Sequence, residues 1–158
     1  WEIHMPPEPR FDHERLDVYK VSIDFVAWSG LLLDDRLSSC RHSVVKQLDR
    51  ASTSVPLNIA EGNGKRSLVD RCRYLDIARG SALECAACLD VLVARRALLE
   101  ADVVPGKDLL VRTVGMLSRM IAKLSSSTST STSTIRDGDD DWQYVAGIGS
   151  EMTHCNPR

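Results

Sequence analysis

The sequence predicts an all-α protein, an antiparallel up-down-up-down four-helix bundle, and three observations predict it. Apolar residues recur at alternating spacings of three and four through four separate windows. Short stretches carrying helix stop and start signals separate the windows. Only 5% of the residues are aromatic while 43% are hydrophobic, so the core must be built mainly from Leu, Val, Ile and Ala, which suits helix packing better than a β-sandwich. A chain of 158 residues fits a single domain.

The elements follow in order. The chain opens WEIHM, with Met5 a plausible start, so residues 1–10 read as a disordered lead-in or vector remnant, and the PPEP run from Pro6 cannot be helical. The bundle is expected over residues 11–125. In its first helix Leu16, Tyr19, Ile23, Val26, Gly30, Leu33 and Leu37 keep the spacing without a slip. The second carries Val44, Leu48, Ala51, Val55 and Ile59. Pro56 lies inside it, removes one backbone donor and crowds the carbonyl of Ser52, which predicts a kink near Ser52. Hydroxyls of Ser52, Thr53 and Ser54, or solvent, would serve that strained turn.

The third helix is expected to start at Ser67, with Asp70 completing a capping-box variant, and to run to about Leu99 behind Leu75, Ala78, Ala82, Cys85, Leu89 and Leu92. Gly80, Ser81, Ala82, Ala86 and Ala87 make its middle small enough for another helix to approach closely. Pro105 stands just ahead of the fourth helix, whose stripe is Leu110, Val114, Leu117, Ile121 and Leu124. The links over residues 37–40, 62–66 and 101–106 are short, which forces antiparallel neighbours. The Ser/Thr tract over 125–134 and the acidic stretch after it make 126–158 a linker and tail, expected to be disordered. Trp142, Tyr144, Val145 and Ile148 offer the alternative of a small anchor on the bundle.

The formal charge of −2 is unevenly spread. Between Arg36 and Arg79 nine Lys or Arg face four acidic residues, a local balance of +5, whereas from Ser126 onward the balance is −3. A basic middle is followed by an acidic tail. The acidic run Asp137, Asp139, Asp140 and Asp141 lacks the remaining ligands of a calcium loop. Five cysteines, with no signal-peptide core and no apolar run long enough to span a bilayer, imply a reducing, cytoplasmic setting without membrane contact. Cys85 and Cys88 form a CxxC in a helix interior, with no second CxxC and no His pair to complete a zinc site, so both read as small core residues. No metal and no cofactor is expected.

The most chemical stretch is SVPLNIAEGNGKRS, from Ser54 to Ser67. Asn58 and Glu61 share a helical face near the end of the second helix, and Glu84 falls in the middle of the third. A carboxylate at a helix C-terminus needs a cation or donor, so the candidate partners of Glu61 are Arg79, a pair that would tie the turn to the third helix, and the N-terminal backbone of the third helix just beyond the turn, while Asn58 would satisfy backbone groups opened by Pro56. Gly62 reads as the helix C-cap, with Asn63 and Gly64 completing the turn. Asn58, Glu61 and Glu84 as remnants of a catalytic or metal site is the weaker reading, because the Glu-x-x-His pairs of di-iron bundles are missing. Arg36 and His42 have the spacing of helical-bundle ribonucleases of the HEPN type but fall in a loop. Catalysis is therefore not expected.

The segments FDHERLDVYKVSIDFV from Phe11, ASTSVPLNIAEGNGKRS from Ala51 and RYLDIARGSALECAACLDVL from Arg73 together resemble the bacterial four-helix bundle family encoded by 23S ribosomal RNA intervening sequences. The likeness spans residues 11–124 and leaves the Ser/Thr tract and tail outside. It implies a ring-forming homopentamer and a distant similarity to the accessory variability protein of diversity-generating retroelements, which binds a reverse transcriptase and nucleic acid. It implies no settled biochemical activity. Pro56, Asn58, Glu61, Gly62, Gly64, Arg79, Gly80 and Glu84 form the motif that carries the likeness.

What functional signal the residues themselves hold lies in the cations. Lys65, Arg66, Arg71 and Arg73 crowd one end of the bundle, with Arg41, Lys46 and Arg50 on the second helix. In a ring such a patch repeats around an axis and phosphate contacts add. Tyr74 is the one aromatic nearby, which favours backbone or shape recognition over base readout. The expected function is a non-enzymatic homo-oligomeric scaffold that engages RNA or a ribonucleoprotein through its basic end. The alternative is a protein-binding adaptor, of a polymerase such as a reverse transcriptase, that does not touch nucleic acid.

Overall fold

The computed structural model describes residues 9–37 and 43–130. A 3-10 turn, Asp12–Arg15, leads into α1 (Asp17–Arg36), α2 (Ser43–Gly64), α3 (Leu68–Ala94) and α4 (Glu100–Thr130), and no strand occurs among the described residues. Glu14 holds the entry: its Oε2 accepts from the backbone N–H groups of Arg10 at 2.6 Å and Phe11 at 2.9 Å. The Phe11 amide foremost keeps this carboxyl below its ordinary pKa.

The four helices bury one common core. Phe25 and Leu32 of α1, Leu48, Val55 and Ile59 of α2, Leu75, Ala82 and Leu89 of α3, and Val103, Leu110 and Leu117 of α4 all lie in it. Each buried Leu, Ile or Phe contributes roughly 1.5–3 kcal/mol relative to exposure. The stripes expected for α2, α3 and α4 lie on the buried side, with Val44, Val114, Ile121 and Leu124 at its edges.

In α1 the buried face differs. The core takes Val18, Val21, Ser22, Phe25, Ser29 and Leu32, while Ile23 of the expected stripe is 41% exposed. Two serines at core positions mask the true stripe. Their hydroxyls donate back to the carbonyls of Tyr19 at 2.6 Å and Val26 at 3.0 Å, so the helix itself satisfies them and the small side chains pack.

Several contacts give the order of packing. Gly62, Ser54 and Gln47 of α2 meet Tyr74, Ser81 and Glu84 of α3, so residue numbers rise on one helix as they fall on the other. Asp90 and Cys72 of α3 meet Lys107 and Ser125 of α4 in the same sense. Arg36 of α1 reaches Asp102 of α4 at 2.7 Å, and Trp28 covers Gly106, where a Cβ would overlap the indole ring.

Three boundaries depart from expectation. The α3 helix stops at Ala94, where Arg96 adopts a left-handed φ of 58° and the Ala97 N–H donates to the Leu92 carbonyl at 2.9 Å, a Schellman-type end built without glycine. The α4 helix begins at Glu100 rather than after Pro105, because Asp102 caps the turn by accepting from the Leu99 N–H at 2.9 Å. It also continues into the Ser/Thr tract as far as Thr130. Ser126 donates to the Lys123 carbonyl at 2.9 Å in this polar end. The lead-in over 1–8 and the tail over 131–158 lie outside the described residues.

Candidate functional site at the helix junction

Three residues, Lys65, Arg66 and Ser67, join α2 to α3. Ser67 caps the new helix as expected, accepting from the Asp70 N–H at 3.2 Å. The preceding glycines do something other than expected. Gly62 and Gly64 are both helical, the last turn of α2, and neither has a left-handed φ. Gly62 is buried because α3 crosses it: a Cβ there would stand 3.0 Å from the Tyr74 Cβ and 3.4 Å from the Arg71 carbonyl. Close approach, not the backbone angle of a C-cap, is what this glycine provides.

Glu61 does not reach Arg79. Its carboxylate pairs with Lys65 one turn on, at 3.1 Å, with the Tyr74 side chain beside the pair. The Lys65 ammonium also lies over the Tyr74 ring, 4.7 Å from its centroid. Tyr74 first and Lys65 second hold the Glu61 carboxyl below its ordinary value, and Glu61 in turn raises Lys65. Arg79 instead takes Asp76 at 2.9 Å, a partner one turn away on its own helix.

The remaining motif residues disperse. Asn58 donates to the Ser54 carbonyl at 2.8 Å and the Ser54 hydroxyl at 3.0 Å, and so leaves the Ser52 carbonyl above Pro56 to others. Ser54 continues the chain of bonds to the Ser81 hydroxyl at 2.9 Å, which joins α2 to α3. Ser52 and Thr53 bond back to Asp49 and Arg50 carbonyls, and α2 runs unbroken through the buried Pro56. Glu84 pairs with Gln47. Since Gln47 is fourteen residues before Glu61, the two carboxylates sit about 21 Å apart along α2 and share no site. Gly80 is exposed and no neighbouring atom comes within 4 Å of its Cβ position, so no helix among the described residues uses it for close approach.

The cations separate into two groups. Lys46 and Arg50 are exposed in the first turns of α2, with Lys46 about 28 Å from the junction along the helix, and Arg41 lies outside the described residues. At the junction itself Lys65 is committed to Glu61, and Arg71 donates to the Asn63 side chain at 2.6 Å while its Nε is buried without a partner. Arg66 and Arg73 are exposed and form no ion pair among the described residues. Among the described residues of the junction, Arg66 and Arg73 thus lie without an ion pair beside the anchored Lys65 and Arg71.

No group of three His, Cys, Asp or Glu side chains able to hold a metal occurs among the described residues. Cys85 and Cys88 are core residues, and burial foremost pushes the Cys85 thiol up to about 12, so it stays protonated and unreactive at neutral pH. Of the pair with HEPN-like spacing, Arg36 is paired with Asp102, and His42 lies outside the described residues. No helix among the described residues is long and apolar enough to cross a membrane.

The sequence profile of the 23S rRNA-intervening sequence proteins matches residues 14–119, from the entry turn through most of α4. The chain belongs to that family. For this intervening-sequence family member, a solved structure of similar fold is a protein of unknown function from the S23 ribosomal protein family of Bacteroides thetaiotaomicron. The two share 21% identity with a TM-score of 0.59, over 66% of this chain and 97% of the other. None of the curated proteins matches the chain. The family profile thus covers both the junction and the Ser54–Asn58–Ser81 network, and ends before the Ser/Thr tract.

Proposed function

We propose that this protein is a non-enzymatic, homo-oligomeric scaffold that engages RNA or a ribonucleoprotein through the α2–α3 junction. The observation that carries the reading is an unused apolar stripe on α3. Besides its core face, α3 exposes Val69 (67%), Ile77 (41%), Leu83 (53%) and Val91 (38%) on the opposite side, with the small Ala87 between the last two. Exposed apolar residues gathered on one side of a helix, here interspersed with the exposed Arg73, Asp76, Glu84 and Asp90, support an association surface. Assembly of copies through it would repeat Arg66 and Arg73 around an axis, turning two free cations into a focused field suited to phosphate.

The same stripe favours the second reading, a protein-binding adaptor whose partner covers α3 while the cations stay in solvent. A gel-shift titration on structured RNA at two salt concentrations, combined with light scattering, separates the two. The scaffold reading expects a mass above the 17.5 kDa of one chain and salt-sensitive binding that falls in Arg66→Ala/Arg73→Ala. No RNA affinity at low salt sinks it and leaves the adaptor.

A further inference from the structure

Within one chain α2 and α4 run in the same direction, both opposed to α3, and among the described residues they do not touch each other. Their outward faces match all the same. On α2 Arg50, Thr53, Leu57 and Glu61 share one face, and on α4 Asp108, Val111, Gly115 and Arg119 share another. Both series are spaced three, four and four residues apart, span about 17 Å, and superimpose after a shift of 58 positions. In that register Arg50 meets Asp108 and Glu61 meets Arg119, while Asp49 comes level with Lys107. Leu57, 67% exposed, comes level with Gly115. A cleft of about 470 Å³ lies there between α3 and α4, lined by the small Ala82, Ala86 and Gly115 and by Leu83 and Val111, 53% and 71% exposed. Around the Cβ position of Gly115 only the Arg119 Nη1 comes near, at 3.5 Å, so the cleft has room for an incoming side chain.

We infer that the α3–α4 cleft is the seat for α2 of a second copy of this chain, set parallel to α4 with Leu57 against Gly115. The inference rests on the homo-oligomeric reading and names the two surfaces that such an assembly joins, Leu83 of the outer α3 stripe among them. Charge complementarity chooses the occupant. Arg50, Asp108 and Arg119 form no ion pair among the described residues, and the charges that match them lie on a helix of the same chain that cannot reach them. Glu61 is half exposed beside Lys65, and a carboxylate keeps lone pairs for a second, guanidinium donor. Lys65, which the register sets level with Lys123, is held by Glu61 over the Tyr74 ring. Because the two surfaces lie on different faces of the bundle, the contact is head-to-tail: each copy gives α2 to one neighbour and its cleft to another. Parallel copies carry Arg66 and Arg73 at one common end, and Arg50 leaves the set of cations available to phosphate.

Exchanging the charges tests the pairing, with light scattering of the full chain as the readout. Arg50→Asp/Glu61→Arg alters the α2 face, and Asp108→Arg/Arg119→Asp alters the cleft face. Each variant sets like charges against the unaltered surface of its neighbours, so each is expected to associate at least about a hundredfold more weakly and to return the 17.5 kDa of one chain. All four positions are exposed, so the bundle is kept, which helical circular dichroism checks. Mixed in equal amounts, or combined in one chain, the two pairs of substitutions put opposite charges back at every contact and are expected to restore the wild-type mass. Single-face variants that assemble as the wild type does overturn the inference, leave the cleft to a different protein and keep the homo-oligomeric reading. A mixture and a combined chain that both stay monomeric overturn the pairing likewise. A wild type that scatters as a single chain at every concentration removes the inference and the homo-oligomeric reading together.

Discussion

At the scale of single residues, the glycines give opposite responses to one and the same substitution. Gly→Ala in a helix interior gains about 1 kcal/mol of propensity when nothing opposes the new methyl group. Gly80 meets that condition, with open space around its Cβ position, so Gly80→Ala is expected to stabilise the fold by about 0.5–1 kcal/mol in urea denaturation. Gly62 does not, since its Cβ would press on the Tyr74 Cβ at 3.0 Å and on backbone at 3.4 Å, neither of which can swing away. Overpacking of that sort costs about 1–3 kcal/mol, so Gly62→Ala is expected to destabilise by about 1 kcal/mol net. Equal stabilisation in both variants would remove close approach as the reason for Gly62. The thiols make a second contrast. Cys85 is fully buried and held protonated by desolvation, with Cys88 adding to the shift, whereas Cys72 is partly exposed. Labelling by a thiol reagent at pH 8 should therefore modify Cys72 rapidly and Cys85 only as fast as the core opens.

At the scale of elements, the Glu61–Lys65–Tyr74 cluster ties the end of α2 to the start of α3, and its pH dependence has a definite sign. The folded Glu61 carboxyl titrates below its ordinary value, so its contribution is present above that value and is lost as pH falls through the folded pKa. Lys65 is raised above 10.5, so its share is complete below that value and disappears only as pH rises through the folded pKa. Stability measured from pH 6 down to pH 3 is expected to fall less steeply in Glu61→Gln than in the wild type, and an unchanged acid limb would exclude the cluster as a determinant. Elements also show what a sequence can convey. The stripes of α2, α3 and α4 are legible because their buried positions are apolar residues at helical spacing. In α1 they are not, because Ser22 and Ser29 occupy the core and a second, partly exposed stripe through Tyr19, Ile23 and Val26 offers the same period. The partner of Glu61 is illegible for a related reason. Lys65, Tyr74 and Arg79 all lie within plausible reach, and only the depth at which α3 crosses Gly62 decides among them. Arg66 and Arg73 were visible as charges, but their freedom depends on where every neighbouring carboxylate points.

At the scale of the whole molecule, α3 exposes apolar residues on its outer face while the junction exposes Arg66 and Arg73 without an ion pair among the described residues, and the scaffold reading couples the two. If copies associate through the outer stripe of α3, then assembly and RNA affinity must fail together, although the stripe residues carry no charge. Leu83→Asp/Val91→Asp places carboxylates at two exposed positions, 53% and 38% accessible, so the isolated bundle should keep its fold and stability within about 0.5 kcal/mol. Light scattering should then return the 17.5 kDa of a single chain. Because the junction of each copy offers two guanidinium groups, Arg66 and Arg73, without an ion pair among the described residues, monomers should bind RNA at least about a hundredfold more weakly than the assembly, the usual scale of lost multivalency. Two new carboxylates also add local repulsion, which a neutral pair of changes, Leu83→Ser/Val91→Ser, controls for. Arg66→Ala/Arg73→Ala, by contrast, should leave the mass unchanged and lower the slope of log affinity against log salt by about 1.5 per copy engaged. Loss of RNA affinity without loss of assembly in the stripe variants would separate the two surfaces and return α3 to the adaptor reading.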